Sequence, residues 1–230
     1  MAKLLEIQVG KYMTHCNQNK WELGVYNEIL NEDTYQLLSL FKNNFVPKNV
    51  FDIGTHIGIF TVVCANVWPN AEFTCFEPQL SNFKLLQFNT KDIVNINLNN
   101  CALIASDDIT GFMDITNADI DNTGGIEVSL IPSSNTVAIT CKHIKNFLPP
   151  TIDLMKMDCE SGEKYLMPYL KSIEYCKNIK VLVGEYHNGL EYIFDDTLSD
   201  THHITKYPNP YLPPKTNGTV FAIRKDVVLV

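Results

Sequence analysis

The sequence lacks any dense run of basic residues. Its 230 residues contain 18 lysines and arginines against 26 aspartates and glutamates, which gives a formal net charge of −8. Proteins that bind DNA or long RNA usually meet the phosphate backbone with a basic stripe. The charge therefore argues against a nucleic-acid partner, unless the folded protein has a local basic groove that the overall charge does not reveal.

Paired cysteines and long apolar runs are also missing. None of the seven cysteines has a partner at C-x-x-C spacing and most lie inside apolar runs, so we expect buried thiols and predict no metal site. No apolar run is long enough to span a membrane, and "MAKLLEIQVG" at the amino terminus lacks the form of a signal peptide. These absences predict a cytoplasmic protein without a membrane span, and they do not indicate an oligomeric state.

What the sequence does contain is a regular alternation of short and long apolar runs from Val50 onward. Such alternation is typical of parallel strands joined by helical crossovers. Strands are predicted at 49–54, 72–78, 94–104, 111–117, 151–158 and 178–187, helices at 57–67, 79–92 and 162–171, and an antiparallel strand pair within 201–225. We therefore expect one α/β domain at 49–230, preceded by a helical flank or lid at 1–48 in which 34–45 is a helix and 20–33 an irregular lead-in.

The turn after the first predicted strand, "DIGTHIG", has glycines at Gly54 and Gly58. A dinucleotide-binding turn needs three glycines in the order G-x-G-x-x-G, so that the start of a helix can receive a pyrophosphate. Here Thr55 and His56 crowd the phosphate position. A nucleoside with an amino-acid tail and no phosphate tolerates this crowding, and S-adenosylmethionine is such a ligand.

Glu77 ends the next predicted strand. In a doubly wound sheet, ligands bind outside the carboxyl ends of the strands, and an acidic residue at this position can accept hydrogen bonds from both ribose hydroxyls. Glu77 therefore forms a candidate cofactor site with Asp52 and the two glycines of the turn. The glycines alone are equally compatible with tight packing of a strand against a helix.

The segment "KMDCESGE" brings Lys156, Asp158 and Glu160 to the carboxyl end of another predicted strand. That rim of the sheet is where the reacting group of a ligand would lie. We expect Asp158 to lie near the cofactor or the acceptor. For Ser161 and Glu163 we expect only a helix cap and a favourable charge in the first helical turn.

The segment "VLVGEYHN" ends a further strand with Glu185 and His187. A histidine with a near-neutral pKa can take a proton from an attacking hydroxyl; a histidine that is satisfied within a turn is the alternative. The Gly-rich loop at 121–130 either covers a bound ligand or is a plain connection. His202 and His203 are adjacent in a strand, so they point to opposite faces and do not chelate one metal ion.

Six segments, in this order and spacing, resemble the FkbM-type S-adenosylmethionine-dependent methyltransferases: "VFDIGTHIGIFT", "FEPQLSNFKLLQFN", "CALIASDD", "DNTGGIEVSL", "IDLMKMDCESGE" and "VLVGEYH". The resemblance extends from about residue 28 to residue 187. It implies a Rossmann-like class I methyltransferase fold, with a seven-stranded, mostly parallel sheet, an antiparallel last strand and helices on both faces. It also implies O-methylation of a hydroxyl on a sugar, a glycan or a small metabolite.

The resemblance implies roles for individual residues. Glu77 would bind the ribose, with Asn82 supporting the ribose or adenine side, and Asp158 would stand near the transferred methyl group. The glycine turn would line the methionine end, and His56, where the family often has asparagine, would add a polar contact. The implied cofactor contacts are Asp52, Gly54, His56, Gly58, Glu77, Asn82 and Asp158.

The residues and the resemblance lead to the hypothesis of methyl transfer from S-adenosylmethionine to an acceptor hydroxyl. We expect the base that removes the hydroxyl proton among Asp158, Glu160 and His187, in that order. The family has glycine and a small residue where this chain has Ser161 and Gly162, so a non-catalytic protein that kept the adenosyl site is one alternative. A nicotinamide-dependent oxidoreductase would need the third glycine, and a nucleic-acid methyltransferase a local basic groove. No feature identifies the acceptor.

Overall fold

The computed structural model describes residues 4–107, 109–114, 128–129, 131–132, 134, 136–209 and 216–228. The strands within these residues are β1 Leu4–Val9, β2 Tyr12–Asn17, β3 Asn49–Ile53, β4 Glu72–Phe76, β5 Ile96–Asn99, β6 Ala102–Ile104, β7 Ile109–Asp114, β8 Val128–Ser129, β9 Thr136–His143, β10 Ile152–Met157, β11 Ile179–Tyr186, β12 His202–Pro208 and β13 Gly218–Arg224. The α-helices are α1 Lys20–Leu30, α2 Leu37–Lys42, α3 Ile59–Val67, α4 Leu80–Asn89, α5 Glu163–Ser172 and α6 Tyr192–Leu198.

The central layer is a sheet in the order β12-β13-β11-β10-β3-β4-β5. Strands β11, β10, β3, β4 and β5 run parallel, and β13 pairs antiparallel with both β11 and β12. The predicted seven-stranded, mostly parallel sheet with a reversed last strand is therefore confirmed. The strand order switches direction between β3 and β10, which is where ligands bind in open α/β sheets.

Apolar residues cover both faces of this sheet. Every residue of β10 is buried, as expected for a parallel strand packed between two layers of helices. Val50 and Leu154 belong to one apolar cluster with residues of α3 and α4, whereas their neighbours Phe51 and Met155 belong to a second cluster with residues of α5 and α6. The alternation of side chains along each strand thus divides the core into two layers.

The amino-terminal segment differs from the predicted helical flank. It begins with a hairpin of β1 and β2, and the lead-in expected to be irregular is helix α1. Asn19 caps α1 by accepting a hydrogen bond from Glu22 N at 2.8 Å, and the buried Glu22 carboxylate accepts one from Asn17 N at 2.6 Å. The helix predicted at 34–45 shortens to α2, because Gln36 before it has a left-handed φ of 55°. The apolar residues of this segment join the cluster of α3 and α4.

The strand predicted at 94–104 is in fact two strands, β5 and β6. Asn100 lies between them and donates hydrogen bonds to the carbonyl oxygens of Glu77 at 2.8 Å and Pro78 at 3.1 Å, which turns the chain out of the main sheet. Strand β6 then pairs with β9 in a second sheet of order β6-β9-β7-β8, and β9 was not expected from the sequence. Most of the loop at 121–130 lies outside the described residues.

The cysteines and the adjacent histidines lie as predicted. All seven cysteines are free thiols, and all but the half-buried Cys159 are buried. His202 is buried and its Nε2 donates to the carbonyl oxygen of Ile179 at 2.9 Å, whereas His203 is exposed on the other face. Within the described part of the chain, no helix has the length and apolar character needed to cross a membrane.

Candidate active site

The turn between β3 and α3 is shaped by its two glycines in different ways. Gly54 has a φ of 78°, and a Cβ atom on it would lie 1.7 Å from the carbonyl oxygen of Asp158, so only glycine allows this approach to the end of β10. Gly58 has a φ of 95°, and a Cβ atom there would lie 2.7 Å from Leu86 Cδ1. Gly54 therefore lies at the cavity wall, whereas Gly58 packs against α4 and does not line the cavity.

Beneath this turn lies a buried ion pair. Lys156 Nζ donates to the carbonyl oxygen of Gly54 at 2.7 Å and lies 3.5 Å from Asp52 Oδ1. Asp52 Oδ2 accepts a hydrogen bond from Thr61 Oγ1 at 2.7 Å. Burial raises the pKa of Asp52, although the charge of Lys156 opposes this effect. Asp52 is fully buried and stabilises the turn from below, so the structure places it behind the cavity wall.

Glu77 closes the opposite side of the turn. Its Oε2 accepts a hydrogen bond from His56 N at 2.9 Å, and its Oε1 accepts one from Gln79 N at 2.9 Å. Asn82 donates to Gln79 Oε1 at 3.0 Å and also hydrogen-bonds the Glu77 carboxylate. Burial raises the pKa of Glu77 to about 7, although these hydrogen bonds act to lower it. Asn82 therefore positions Glu77 from behind, and Glu77 itself faces the cavity.

At the ends of β10 and β11, one tyrosine joins two carboxylates. The hydroxyl oxygen of Tyr35 lies 2.9 Å from Asp158 Oδ2 and 2.9 Å from Glu185 Oε1. Burial disfavours ionisation of Asp158, but the charges of Lys156 and His187 outweigh it and lower the pKa. Burial and the charge of Asp158 raise the pKa of Glu185 to about 8.

His187 lies among carboxylates. Its Nε2 is 3.6 Å from Glu160 Oε2, 3.7 Å from Glu185 Oε2 and 3.9 Å from Asp158 Oδ1, while its Nδ1 is 3.5 Å from Glu163 Oε1. Burial lowers the pKa of the imidazole, but the carboxylates have the larger combined effect and raise it to about 10. In this state the ring is protonated near neutral pH and does not act as a base.

The loop that carries Glu160 has an unusual backbone. Glu160 and Ser161 have consecutive left-handed φ values of 50° and 69°. Asn188 Nδ2 donates to Ser161 Oγ at 2.9 Å, which holds the loop against the end of β11. The expected helix cap by Ser161 is wrong, because Gly162 precedes α5 without a side-chain cap, whereas Glu163 does lie in the first turn of α5 as expected. The buried Glu163 carboxylate instead accepts from Cys159 N at 3.1 Å.

These elements surround one cavity of about 1020 Å³. Such a volume lies at the upper end of the range for small-molecule sites, roughly 300–1,000 Å³. The wall opposite the sheet comes from the amino-terminal segment and includes Trp21, Val25, Glu28 and Tyr35. A flank or lid was expected at 1–48, but the sequence did not identify these residues, because only the fold brings them to the strand ends. Of the predicted site residues, those at the cavity are Gly54, His56, Glu77, Asp158, Glu160 and His187.

The strand order, the glycine turn after the central strand and the acidic end of the neighbouring strand together define a class I methyltransferase architecture. The family model described as methyltransferase FkbM domain matches residues 52–207, and the chain belongs to this family. It is accordingly an S-adenosylmethionine-dependent methyltransferase.

Solved structures with the same fold are distant in sequence. WbdD, which is described as a bifunctional kinase-methyltransferase, is 13% identical with a TM-score of 0.52 over 89% of this chain and 41% of that one. A structure described as a putative rRNA-methylase from Clostridium thermocellum is 9% identical with a TM-score of 0.50 over 82% of this chain and 95% of that one. No curated protein sequence matches the chain. At such identities the likeness concerns the fold alone.

Proposed function

We propose that this methyltransferase transfers the methyl group of S-adenosylmethionine to a hydroxyl group of a neutral acceptor, such as a sugar, a glycan or a small metabolite. The observation that carries the proposal is the position of Glu77, whose buried carboxylate faces the glycine turn at the cavity. A ribose placed there would donate both of its hydroxyls to this carboxylate. Glu77 is thus our candidate for cofactor recognition.

The rest of the cavity suits the two ends of that cofactor. On the Glu77 side, the lining includes the apolar residues Phe76, Pro78, Cys101 and Leu103, which offer a surface for a purine ring. On the other side, Gly54 leads to the acidic ends of β10 and β11, which would attract the cationic sulfonium and ammonium groups. Because burial lowers the pKa of His56 to about 4, its imidazole is neutral and can accept or donate one hydrogen bond.

The acidic rim also restricts the acceptor. The carboxyl groups of Glu28, Asp158, Glu160 and Glu185 line the cavity, and burial raises the pKa of Glu28 and Glu185. The cationic residues of the lining are Lys20, Lys156, Lys164 and His187. At the strand ends, Lys156 and His187 are already paired with carboxylates, so this part of the cavity attracts a phosphate or carboxylate group only weakly. A neutral hydroxyl compound fits best, and this argument disfavours an RNA acceptor such as that named for the putative rRNA-methylase relative.

The transfer itself needs alignment and one proton acceptor. The hydroxyl oxygen attacks the methyl carbon, the bond from carbon to sulfur breaks, S-adenosylhomocysteine leaves, and the hydroxyl proton passes to a base. Asp158 is held more closely, by Lys156 at 3.3 Å and Tyr35 at 2.9 Å, than Glu160, which lies 3.6 Å from His187, and His187 is already protonated. Of the three predicted bases, Glu160 is therefore the candidate that best suits the proton transfer.

Cofactor binding is tested by calorimetric titration and thermal unfolding with S-adenosylmethionine, S-adenosylhomocysteine and NAD in parallel. The first two should raise the melting temperature of the native chain and NAD should not, because only a ligand of the folded state stabilises it. Glu77→Ala should weaken the binding of S-adenosylhomocysteine by tenfold or more, since hydrogen bonds to a charged acceptor are worth about 1.5–3 kcal/mol each. Glu72→Ala, at an exposed position of the same strand, is the control. Absence of binding by both adenosyl ligands would remove the proposal.

Chemistry is tested by the release of S-adenosylhomocysteine with a panel of neutral glycosides, their phosphorylated counterparts and matched amines. We expect turnover with a member of the neutral hydroxyl set, and a drop of 10²-fold or more in Glu160→Gln if Glu160 is the base. Cofactor binding without turnover on any hydroxyl acceptor would instead favour the non-catalytic alternative.

A further inference from the structure

We propose that Asp158, Glu185 and His187 bind a divalent metal ion, best matched by Mn²⁺ or Mg²⁺, at the acceptor end of the cavity. One ligand atom from each residue lies within 4.8 Å of the other two. In octahedral coordination with bonds of about 2.1 Å, adjacent ligand atoms are about 3 Å apart and opposite ones about 4.2 Å. With the two carboxylate oxygens opposite each other and His187 Nε2 between them, its gaps of 3.9 Å to Asp158 Oδ1 and 3.7 Å to Glu185 Oε2 would each close by less than about 1 Å.

The hydrogen bonds of Tyr35 turn the right oxygen atoms toward this position. Tyr35 contacts Asp158 Oδ2 and Glu185 Oε1, which leaves Asp158 Oδ1 and Glu185 Oε2 facing His187 Nε2. Lys156 also approaches Asp158 on Oδ2, at 3.3 Å, so it does not compete for Oδ1. A hydroxyl has one hydrogen, so Tyr35 satisfies only one of its two carboxylate neighbours at a time. A cation between the carboxylates would relieve their repulsion.

His187 gives the second, independent indication. The residue is 6% exposed, and its Nε2 lies beyond 3.5 Å from each carboxylate oxygen that it faces. These ion pairs are the contacts of Nε2 among the described residues, and the proton that the ring carries in the metal-free chain would be released when an ion binds. Glu163 lies 3.5 Å from Nδ1 on the far side of the ring, in the place where ligating histidines usually have a carboxylate that orients them. The ring is therefore held with Nε2 pointing at carboxylate oxygens of Asp158, Glu160 and Glu185, at 3.6–3.9 Å.

The composition of this set indicates the kind of metal. Two carboxylates and one imidazole, with no thiolate, suit a hard divalent cation that keeps water or substrate in its other positions. The catalytic consequence rests on the proposed function: the ion would hold the acceptor's hydroxyl oxygen and lower the pKa of that hydroxyl. The proton of that hydroxyl would pass to Glu160, whose Oε2 lies 3.6 Å from His187 Nε2. The sequence itself predicted no metal site, because it has no C-x-x-C pair and because Asp158 is separated from Glu185 and His187 by more than 25 residues.

The test is a titration of the chelator-treated, desalted protein with Mn²⁺. Binding is measured as the decrease in the electron paramagnetic resonance signal of free Mn²⁺. We expect about one bound Mn²⁺ per chain, competition by Mg²⁺, and a tenfold or larger loss of affinity in His187→Ala and Glu185→Gln. His203→Ala and Glu174→Gln change exposed residues of the same types and should bind as the native chain does. Circular dichroism melting identifies any variant that fails to fold, and Glu185→Gln keeps the shape of the side chain.

Two results would overturn the metal site: no Mn²⁺ binding at millimolar concentration, or equal binding by native protein and folded His187→Ala. S-adenosylhomocysteine binding in metal-free buffer separates this inference from the proposed function. If the adenosyl ligand binds and Mn²⁺ does not, the metal site is refuted and the methyltransferase proposal stands. If Mn²⁺ binds and the adenosyl ligands do not, the site stands without its catalytic role.

Discussion

The buried Glu77 carboxyl makes the stability of the ligand-free protein depend on pH. Burial raises its pKa from 4.5 to about 7, so the folded chain retains a proton that the unfolded chain has already released. Stability from this group is fully present below the unfolded pKa and is lost as the pH rises toward the folded one. Between pH 5 and pH 8 the loss amounts to about 2.5 kcal/mol, at about 1.4 kcal/mol per pH unit.

Urea unfolding of native protein and Glu77→Gln from pH 5 to pH 8 measures this loss, because the amide does not titrate. The difference between the two curves should change by about 2.5 kcal/mol, whereas Glu72→Gln, at an exposed position, should follow the native curve. The ionised fraction of Glu77 rises from about a tenth at pH 6 to nine-tenths at pH 8, so S-adenosylhomocysteine should bind about tenfold more tightly at pH 8. Parallel curves for native protein and Glu77→Gln would refute the reasoning.

Three comparisons, which together use five substitutions, probe the rest of the site by urea unfolding. Gly54→Ala should lower the free energy of unfolding by roughly 3–5 kcal/mol, because Gly54 has a φ of 78° and an added Cβ atom would clash with the end of β10. Gly24→Ala, where an added Cβ atom meets no atom within 4 Å, should stabilise helix α1 by up to about 1 kcal/mol. Equal effects of the two substitutions would contradict the turn geometry. Lys156→Met should cost about 3–5 kcal/mol by leaving the Asp52 carboxylate unpaired, and this cost should shrink as the pH falls; a cost that does not depend on pH would exclude an unpaired charge. Ser161→Gly should be about 1 kcal/mol more stable than Ser161→Ala, because both lose the bond from Asn188 but only glycine relieves the left-handed backbone; the reverse order would remove backbone strain as the cause.

The main sheet and its rim could be predicted because their signals are local. Each central strand is an apolar run of a few residues that stops at a polar residue, as at Asp158 and Glu77. Parallel strands that stop in this way place their ends along one edge, so an acidic rim follows from the chain order alone. The predicted reversed strand, now β13, was equally visible from the turn-forming residues before Gly218.

The remaining features depend on contacts between distant parts of the chain. Tyr35 meets Asp158 and Glu185 across separations of 123 and 150 residues, and no periodicity marks it. Helix α1 was missed because Gly24 and its charged residues hide the apolar side, although Asn19 and the buried Glu22 form a recognisable capping pair. Nor does a glycine turn reveal which of its residues faces the ligand and which faces a helix, so the support roles of Asp52 and Gly58 became visible only in the fold.

The wall built by the amino-terminal segment lies outside the part of the chain that matches the FkbM family. The match covers residues 52–207, whereas Trp21, Val25, Glu28 and Tyr35 precede it. If the proposed function holds and this wall contacts the acceptor, acceptor specificity can change through this segment while the glycine turn and Glu77 remain unchanged. Tyr35 limits this freedom, because in this chain it supplies the hydroxyl that contacts both Asp158 and Glu185. Chimeras between relatives should therefore exchange specificity most readily when they retain that single tyrosine.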